Sequence, residues 1–268
     1  MRRWRNGPGR HVPRVLHPGR PVTDDGPPTL PGTPNALAGR FGPMALRNVW
    51  GVDTDWPMTD ATIAALSHAE IPANLDPATP PLVFVCGYLG LGPNGPNDLT
   101  PARVAALTAR HFAVFAVQHC RAGAWDASAG RGRTDGAWAG KNALAAGLVP
   151  GLGVSVGLDL EDVSQATWGT PTLDHVTEWA AAVSAAGFAP WVYHGFSCGL
   201  TPAQLYSVPN VRRYGAAPGQ APVATRGDCF RQHGTMTLNG VLVDPDYCSP
   251  DALGGTLVGM MDTLAAVA

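Results

Sequence analysis

The sequence predicts an α/β protein, a TIM-like (β/α)8 barrel preceded by an extended basic N-terminal arm. From residue 49 onward, short β-rich runs alternate with alanine-rich segments, which is typical of a parallel sheet covered by helices. Most of these runs are continuously apolar, as expected of strands buried on both faces. Eight strand candidates without a glycine-rich nucleotide loop favour a closed barrel over an open doubly wound sheet.

The first 48 residues differ from the rest of the chain in composition. They contain nine prolines and seven glycines, with no sustained period of 2 or 3.6. Residues 1–50 carry eight arginines against two aspartates, whereas the whole chain has a net charge of −2. Such a segment cannot bury enough apolar surface to fold alone. We therefore expect an arm over residues 1–48, either a disordered leader or ordered against a partner, and a barrel over 49–268.

The strand candidates share an apolar body bounded by turn residues. They are Val49–Asp53, Leu82–Tyr88, Ala113–Gln118, Gly153–Leu160, Ala189–His194, Val211–Tyr214, Cys229–His233 and Leu242–Asp244. Helix signals lie between them: Thr100 is an N-cap before Pro101, the same pair recurs at 201–202, and Gly147 and Gly187 stop helices. The helix candidates are Thr59–Ala69, Thr100–Arg110, Gly136–Ala146, Asp174–Ala186 and Thr201–Tyr206.

Several functional classes are excluded by what the sequence lacks. No apolar run reaches the roughly 18–20 residues that a membrane span needs. The first arginines are not followed by the apolar stretch of a signal peptide. Five widely spaced cysteines form no C-x-x-C pair, and no H-E-x-x-H or G-x-S-x-G motif occurs, so we expect neither a metal nor a cofactor. Aromatic residues do not interleave with the arm's arginines, so nucleic acid is not an expected partner.

The fourth strand candidate ends on a pair of acids. Asp159 and Glu161 are two residues apart, so their side chains point to one side of the strand, while Leu158 and Leu160 point to the helix layer. Two neighbouring carboxyls raise each other's proton affinity, so one can serve as general acid while the other stays ionised. Glycoside hydrolysis uses this division of roles. The alternative is an acid pair that caps the following helix.

Polar and aromatic residues also follow the other strands, where a (β/α) barrel places its active site. Tyrosine and tryptophan offer flat faces with a polar edge, which suit sugar rings. Trp56, Trp191 and Tyr247 are aromatic candidates near strand ends, although Trp191 lies within its strand and is equally well explained as core. The predicted substrate-binding residues are Asp53, Asp55, Tyr88, Gln118, Tyr193, His194, Gln232, Asp244 and Asp246.

Two histidine–cysteine combinations lie near strand ends as well. His119 directly precedes Cys120, and His194 lies four residues before Cys198. A Cys–His nucleophilic dyad is the alternative that they suggest, but neither cysteine opens a helix in a recognisable nucleophile setting.

Seven strand ends form an ordered series along residues 49–250. The series is Gly51-Val52-Asp53, Gly87-Tyr88-Leu89, Gln118, Leu158-Asp159-Leu160-Glu161, Val192-Tyr193, Gln232 and Val243-Asp244. In order and spacing it resembles the family-25 glycoside hydrolases, lysozyme-type muramidases that cleave bacterial peptidoglycan. It is still more similar to a related glycoside-hydrolase-like domain of unknown function found in actinobacteria and their phages. A family-18 chitinase-like pattern would need an aspartate where Ser155 stands.

The resemblance implies roles by position. Glu161 would be the general acid, Asp159 would orient an N-acetyl group or stabilise positive charge, and Asp53 and Asp244 would line the −1 sugar site. The expected function is hydrolysis of cell-wall glycan. The alternative is a weak or inactive barrel that serves as a structural or wall-binding component of a phage tail or similar assembly, attached to other subunits through residues 1–48. With no signal peptide, we expect a protein that is cytoplasmic until lysis, or virion-associated if phage-encoded.

Overall fold

A computed structural model describes residues 40–55 and 57–263. Most of the predicted arm, residues 1–39, and the predicted aromatic Trp56 lie outside the described residues. In the described part, the strands are β1 (Phe41–Ala45), β2 (Val49–Asp53), β3 (Phe84–Leu89), β4 (Ala113–Gln118), β5 (Ser155–Leu160), β6 (Ala189–His194), β7 (Tyr214–Ala216), β8 (Phe230–Gln232), β9 (Met236–Leu238), β10 (Val241–Cys248) and β11 (Val258–Asp262).

Eight of these strands close into a barrel, as predicted. Strands β2 to β8 pair in sequence order, each parallel to the next, and β10 then closes the ring between β8 and β2. Strand β10 is antiparallel to both neighbours, which departs from a regular (β/α)8 barrel. The reason is the connection, because only residues 233–240 separate β8 from β10. A parallel crossover needs a dozen or more residues.

The helices pack outside the barrel between successive strands. Their caps agree with the sequence signals: the Thr100 side chain accepts from the backbone of Arg103, and Thr201 forms a capping box with Gln204. Gly147 follows the end of α3 with φ +86, a conformation that favours glycine. The helices are α1 (Asp60–Leu66), α2 (Pro101–Thr108), α3 (Ala129–Ala145), α4 (Thr170–Ala185) and α5 (Pro202–Ser207).

Helix α3 begins seven residues before its predicted start at Gly136. The N-cap is Ser128, whose side chain accepts from the backbone of Arg131. The first turns of α3 contain several glycines, which are poor helix formers, so the sequence does not indicate a helix there. Gly132 and Gly136 are needed because they let α3 approach α4 closely. A Cβ at Gly132 would lie 2.1 Å from the carbonyl oxygen of His175.

Strand β1 corrects the predicted boundary of the arm. It lies at Phe41–Ala45, within the segment expected to have no regular element, and pairs antiparallel with β11. The Arg40 side chain donates from Nε to Asp262 Oδ2 at 2.8 Å and joins the start of one strand to the end of the other. Strand β11 in turn contacts the barrel through Met260 opposite Val114 of β4. The sheet therefore begins at residue 41. The segment is too short to show the alternation of a strand in its sequence, and pairing with a distant strand stabilises it.

Aromatic rings fill part of the barrel interior. The Trp191 ring centroid lies 5.2 Å from that of Phe230 and 5.8 Å from that of Phe115, and Phe84 lies 5.4 Å from Phe115. A Cβ at Gly157 would come within 2.3 Å of the Trp191 ring, so this glycine makes room for it. Trp191 is 1% exposed, which supports its interpretation as core.

The structure also bears on membrane spans and on disulfide bonds. None of the helices among the described residues is both long and apolar enough to cross a membrane. All five cysteines lie in the described part, and none of them forms a disulfide bond.

Candidate functional site

Asp159, in β5, and Glu161, just after it, lie together at the end of the barrel where the parallel strands finish. Asp159 points into the barrel and is 3% exposed, whereas Glu161, one residue past β5, is partly exposed at the rim. An oxygen of one carboxylate lies within 4.8 Å of an oxygen of the other. Leu158 and Leu160 are buried. The pair predicted from the sequence is therefore brought together by the alternation of the strand.

The loop after β6 holds the Glu161 carboxylate. The backbone N–H of Phe196 donates to Glu161 Oε1 at 3.3 Å. A Cβ at Gly195 would lie 1.6 Å from the same oxygen, so only glycine leaves room for the carboxylate here. On the other side, the Trp125 indole donates to the backbone carbonyl of Glu161 at 2.7 Å. Both the backbone and the side chain of Glu161 are thus fixed by neighbouring loops.

A hydrogen-bonded network lines the opposite wall. Tyr88 donates to Asp53 Oδ1 at 2.8 Å, and Gln232 donates from Nε2 to Asp53 Oδ2 at 2.7 Å and to Asp244 Oδ2 at 3.2 Å. Tyr193 donates to Gln232 Oε1 at 2.6 Å. Five of the predicted binding residues therefore meet in one network, since Asp53 also faces Asp244 in the register of β2 and β10.

Asp246 lies deeper on β10, opposite Gln232 in the register with β8, and is completely buried. Burial raises the pKa of the Cys86 thiol well above its ordinary value, and the charges of Asp53 and Asp246 raise it further. Cys86 therefore stays a neutral thiol beneath the network.

Asp159 and the network enclose a narrow cavity of about 10 Å³, and Glu161 is not among the residues that line it. This space holds about one water molecule and is far below the roughly 300–1,000 Å³ of typical small-molecule pockets. The residues that line it are Asp53, Cys86, Tyr88, Val117, Asp159, Trp191, Tyr193, Phe230 and Gln232.

Gln118 does not belong to this site, contrary to the sequence prediction. Val117 before it lines the cavity, so Gln118 points outward into the helix layer. Its Nε2 donates to the carbonyls of Gly90 and Asp135, and its Oε1 accepts from the Trp179 indole at 2.8 Å. The side chain joins β4 to the surrounding loops and helices instead of binding a ligand.

His194 is displaced in the same way, because Tyr193 before it faces the cavity. Its Nε2 lies 2.9 Å from Asp228 Oδ1 in a pair that is 2% exposed on both sides. The Cys198 thiol donates to the carbonyl of Leu200, so both members of the suggested dyad have other partners. Asp55 is exposed beyond the end of β2, outside the network.

The loop after β4 contributes residues that were not assigned to the site from the sequence. The His119 ring stacks on Tyr88 with centroids 4.5 Å apart, and its Nε2 lies 2.7 Å from Asp98 Oδ1. Burial raises the pKa of Asp98, but the hydrogen bond and charge of His119 outweigh it, so the pKa lies below its ordinary value. The Cys120 sulfur lies within 4.8 Å of carboxylate oxygens of Asp159 and Glu161.

Two solved structures share the fold, and a third is less similar. An uncharacterized B. stearothermophilus protein is 16% identical with a TM-score of 0.56, covering 75% of this chain and 96% of that one. The Mycobacterium tuberculosis Tat-secreted protein Rv2525c, in complex with L-tartrate, is 10% identical with a TM-score of 0.51, covering 75% and 95%. A lysozyme from Streptomyces coelicolor is 12% identical with a TM-score of 0.48, covering 77% and 94%. No curated protein matches the chain.

A family model matches more directly. The Rv2525c-like, glycoside hydrolase-like domain matches residues 79–235, more than half of the chain. The matched segment runs from β3 to β8 and includes Tyr88, Asp159, Glu161, Tyr193 and Gln232. It confirms the glycoside-hydrolase-like resemblance found in the sequence. The chain belongs to the family of Rv2525c-like, glycoside hydrolase-like domains.

Proposed function

We propose that this chain is a glycoside hydrolase that cleaves between amino sugars of bacterial peptidoglycan, with Glu161 as general acid. The observation that carries the proposal is the approach of Asp159 and Glu161 to within 4.8 Å at the mouth of a glycoside-hydrolase-like barrel. Paired carboxyls beside the scissile bond are the machinery of most glycosidases.

The two acids have different surroundings, which suits different roles. Glu161 at the rim would protonate the leaving oxygen, and its fixed position beside Phe196 holds it ready. Asp159 is deeper and would stabilise positive charge at the sugar or orient its N-acetyl group. Their separation is well short of the roughly 6.5–9.5 Å that an inverting pair needs to admit water. The geometry therefore favours retention, with either Asp159 or the substrate's own amide attacking the anomeric carbon.

The network around Asp53 would position the sugar. Its phenol, amide and carboxylate groups are suited to hydroxyl and acetamido groups. The cavity between them, about 10 Å³, has room for about one water molecule and not for a sugar ring, so the glycan would lie across the rim above it.

Clearing of purified cell walls tests the proposal. Glu161→Gln should abolish the loss of turbidity produced by the wild type, because the amide cannot donate the proton. Asp162→Asn is the matched control: Asp162 is exposed, and its φ of +53 is tolerated by asparagine. Equal clearing by the wild type and Glu161→Gln would refute the assignment. Anomeric NMR of the released sugar then separates retention from inversion.

A second candidate function is wall binding without cleavage, in a structural assembly. It is supported by the Asp53 carboxylate, both of whose oxygens already accept hydrogen bonds from Tyr88 and Gln232. The part of the predicted arm that precedes β1 would then attach the barrel to other subunits. Co-sedimentation with walls that the wild type fails to clear favours this role, and clearing that depends on Glu161 eliminates it.

A further inference from the structure

We propose that Cys120, Asp159 and Glu161 form a binding site for a thiophilic divalent cation, Zn²⁺ in the first place. Binding of the cation would engage the Glu161 carboxylate and block its use as an acid. This second consequence rests on the proposed function, whereas the binding itself does not.

The backbone explains why the three donors meet. Strands β4 and β5 are parallel neighbours, and Gln118 is opposite Leu158 in their register. Cys120, two residues beyond Gln118, therefore reaches the level of Leu160. The residues on either side of Leu160 are the two acids. Among the residues that the structure describes, this is the one group of three histidine, cysteine or acidic side chains with donor atoms within 4.8 Å of one another.

The donor set selects the kind of cation. Zn²⁺ binds thiolate sulfur at about 2.3 Å and carboxylate oxygen at about 2.0–2.2 Å. Donors around one tetrahedral ion are then roughly 3.3–3.7 Å apart, and the three donor atoms here already lie within 4.8 Å of one another. A thiolate favours zinc or cadmium over magnesium and calcium. Three protein donors leave a fourth position for water, as in other open zinc sites.

Access distinguishes Cys120 from the other thiols. It is partly exposed, whereas the other four cysteines are buried. Cys198 is the closest comparison, because the charge of Glu161 acts on it. Burial is the main reason that its pKa is raised, and its sulfur is bonded to the carbonyl of Leu200. A cation that reaches the rim therefore meets one accessible thiol between two carboxylates.

Titration of the full chain with Cd²⁺ tests the site, because cadmium–thiolate bonds absorb in the ultraviolet. After treatment with chelator, the wild type should develop a charge-transfer band that saturates at one equivalent, and Zn²⁺ should displace it while excess Mg²⁺ does not. Cys120→Ser should lose the band. Cys198→Ser is the matched control and should keep it. Glu161→Gln should need more Cd²⁺ for saturation.

The opposite results overturn the site. Absence of the band from the wild type means that no thiolate binds Cd²⁺. A band that persists in Cys120→Ser, or that disappears in Cys198→Ser, places the thiol elsewhere. Unchanged affinity in Glu161→Gln removes the carboxylate from the site.

The effect on activity is measured separately. The ratio of wall-clearing rates with and without Zn²⁺ should fall in the wild type and in Cys198→Ser, and should stay near one in Cys120→Ser. A constant ratio in the wild type, despite Cd²⁺ binding, refutes the blocking role alone. Absence of clearing without metal refutes the proposed hydrolase and leaves the Cd²⁺ result standing.

Discussion

Gln232 Nε2 lies 2.7 Å from Asp53 Oδ2, and this hydrogen bond joins β8 to β2 across the antiparallel strand β10. It connects residues 179 positions apart in the chain. The Gln232 side chain thus spans β10, the one antiparallel strand of the barrel, and it also accepts a hydrogen bond from Tyr193.

Replacing Gln232 with leucine should therefore destabilise the barrel as well as impair the site. The change removes hydrogen bonds to Asp53, Asp244 and Tyr193, and we expect a loss of about 1–3 kcal/mol in the free energy of unfolding. Urea denaturation measures it. Arg231→Ala is the control, because Arg231 is exposed on the outer face of the same strand. Stability equal to that of the control would show that the network contributes nothing net.

Gly195→Ala should damage the site without unfolding the protein. The added methyl group would meet Glu161 Oε1 at 1.6 Å, and the end of a flexible side chain can move away. Displacement by about 1 Å can cost roughly 100-fold in rate, so wall clearing should fall steeply while the melting temperature changes little. Gly130→Ala is the matched control, since a Cβ there meets nothing within 4 Å. Full activity in Gly195→Ala would mean that the position of Glu161 is not critical.

Acid should destabilise the contact between α3 and α4. Burial lowers the pKa of His175 to about 3, so the folded state keeps its imidazole neutral below the range where the unfolded chain takes up a proton. The His175 contribution to stability is complete above about pH 6.5 and is lost, by up to about 1.4 kcal/mol per pH unit, as the pH falls towards 3.

Asp135 faces His175 at 4.0 Å and acts in the opposite direction. Burial raises its pKa, against the lowering effect of Arg121, so its protonation favours the folded state as the pH falls. Denaturation series at several pH values for wild type and His175→Gln separate the two contributions. The variant should show a shallower decline below pH 6.5, and parallel curves would contradict the prediction.

Truncation should distinguish the arm from the sheet. Deletion of residues 1–39 should leave the melting temperature of the barrel unchanged, because we expect a segment of this composition to form no core of its own. Deletion of residues 1–48 should lower it, since this removes β1, its five register pairs with β11 and the Arg40–Asp262 ion pair. Calorimetry compares the two. An equal effect of both deletions would mean that β1 adds nothing to the barrel.

The sequence was most informative where a strand is a continuous apolar run. The bounds of β2, β4 and β6 agree with prediction, because a short continuous apolar run is typical of a strand that is buried on both faces. Strand β7 was predicted at 211–214 and lies at Tyr214–Ala216 instead. Gly215 breaks the apolar pattern, and it is needed there because a Cβ would come within 3.0 Å of the Trp191 ring. Strands β1, β9 and β11 are short or partly exposed and were missed.

The site was predictable only as far as strand alternation allows. Asp159 and Glu161 are two residues apart, so their side chains point to the same side and their approach could be predicted. Gln118 and His194 were assigned to the wrong face, because the sequence does not reveal whether the last or the penultimate residue of a strand points inward. Asp98 reaches His119 from a loop 21 positions away, and nothing in its local sequence indicates this contact.

The pairing of β1 with β11 fixes the side of the barrel on which the described chain begins and ends. Phe41 is opposite Asp262, so the two ends of the described sheet lie side by side. Strand β11 runs antiparallel to β4, with Met260 opposite Val114, and Asp262 therefore points away from the rim that carries Glu161. Residues 40 and 263, where the described chain begins and ends, therefore lie together on the side of the barrel opposite the Glu161 rim. A label joined directly to either residue would start on that side.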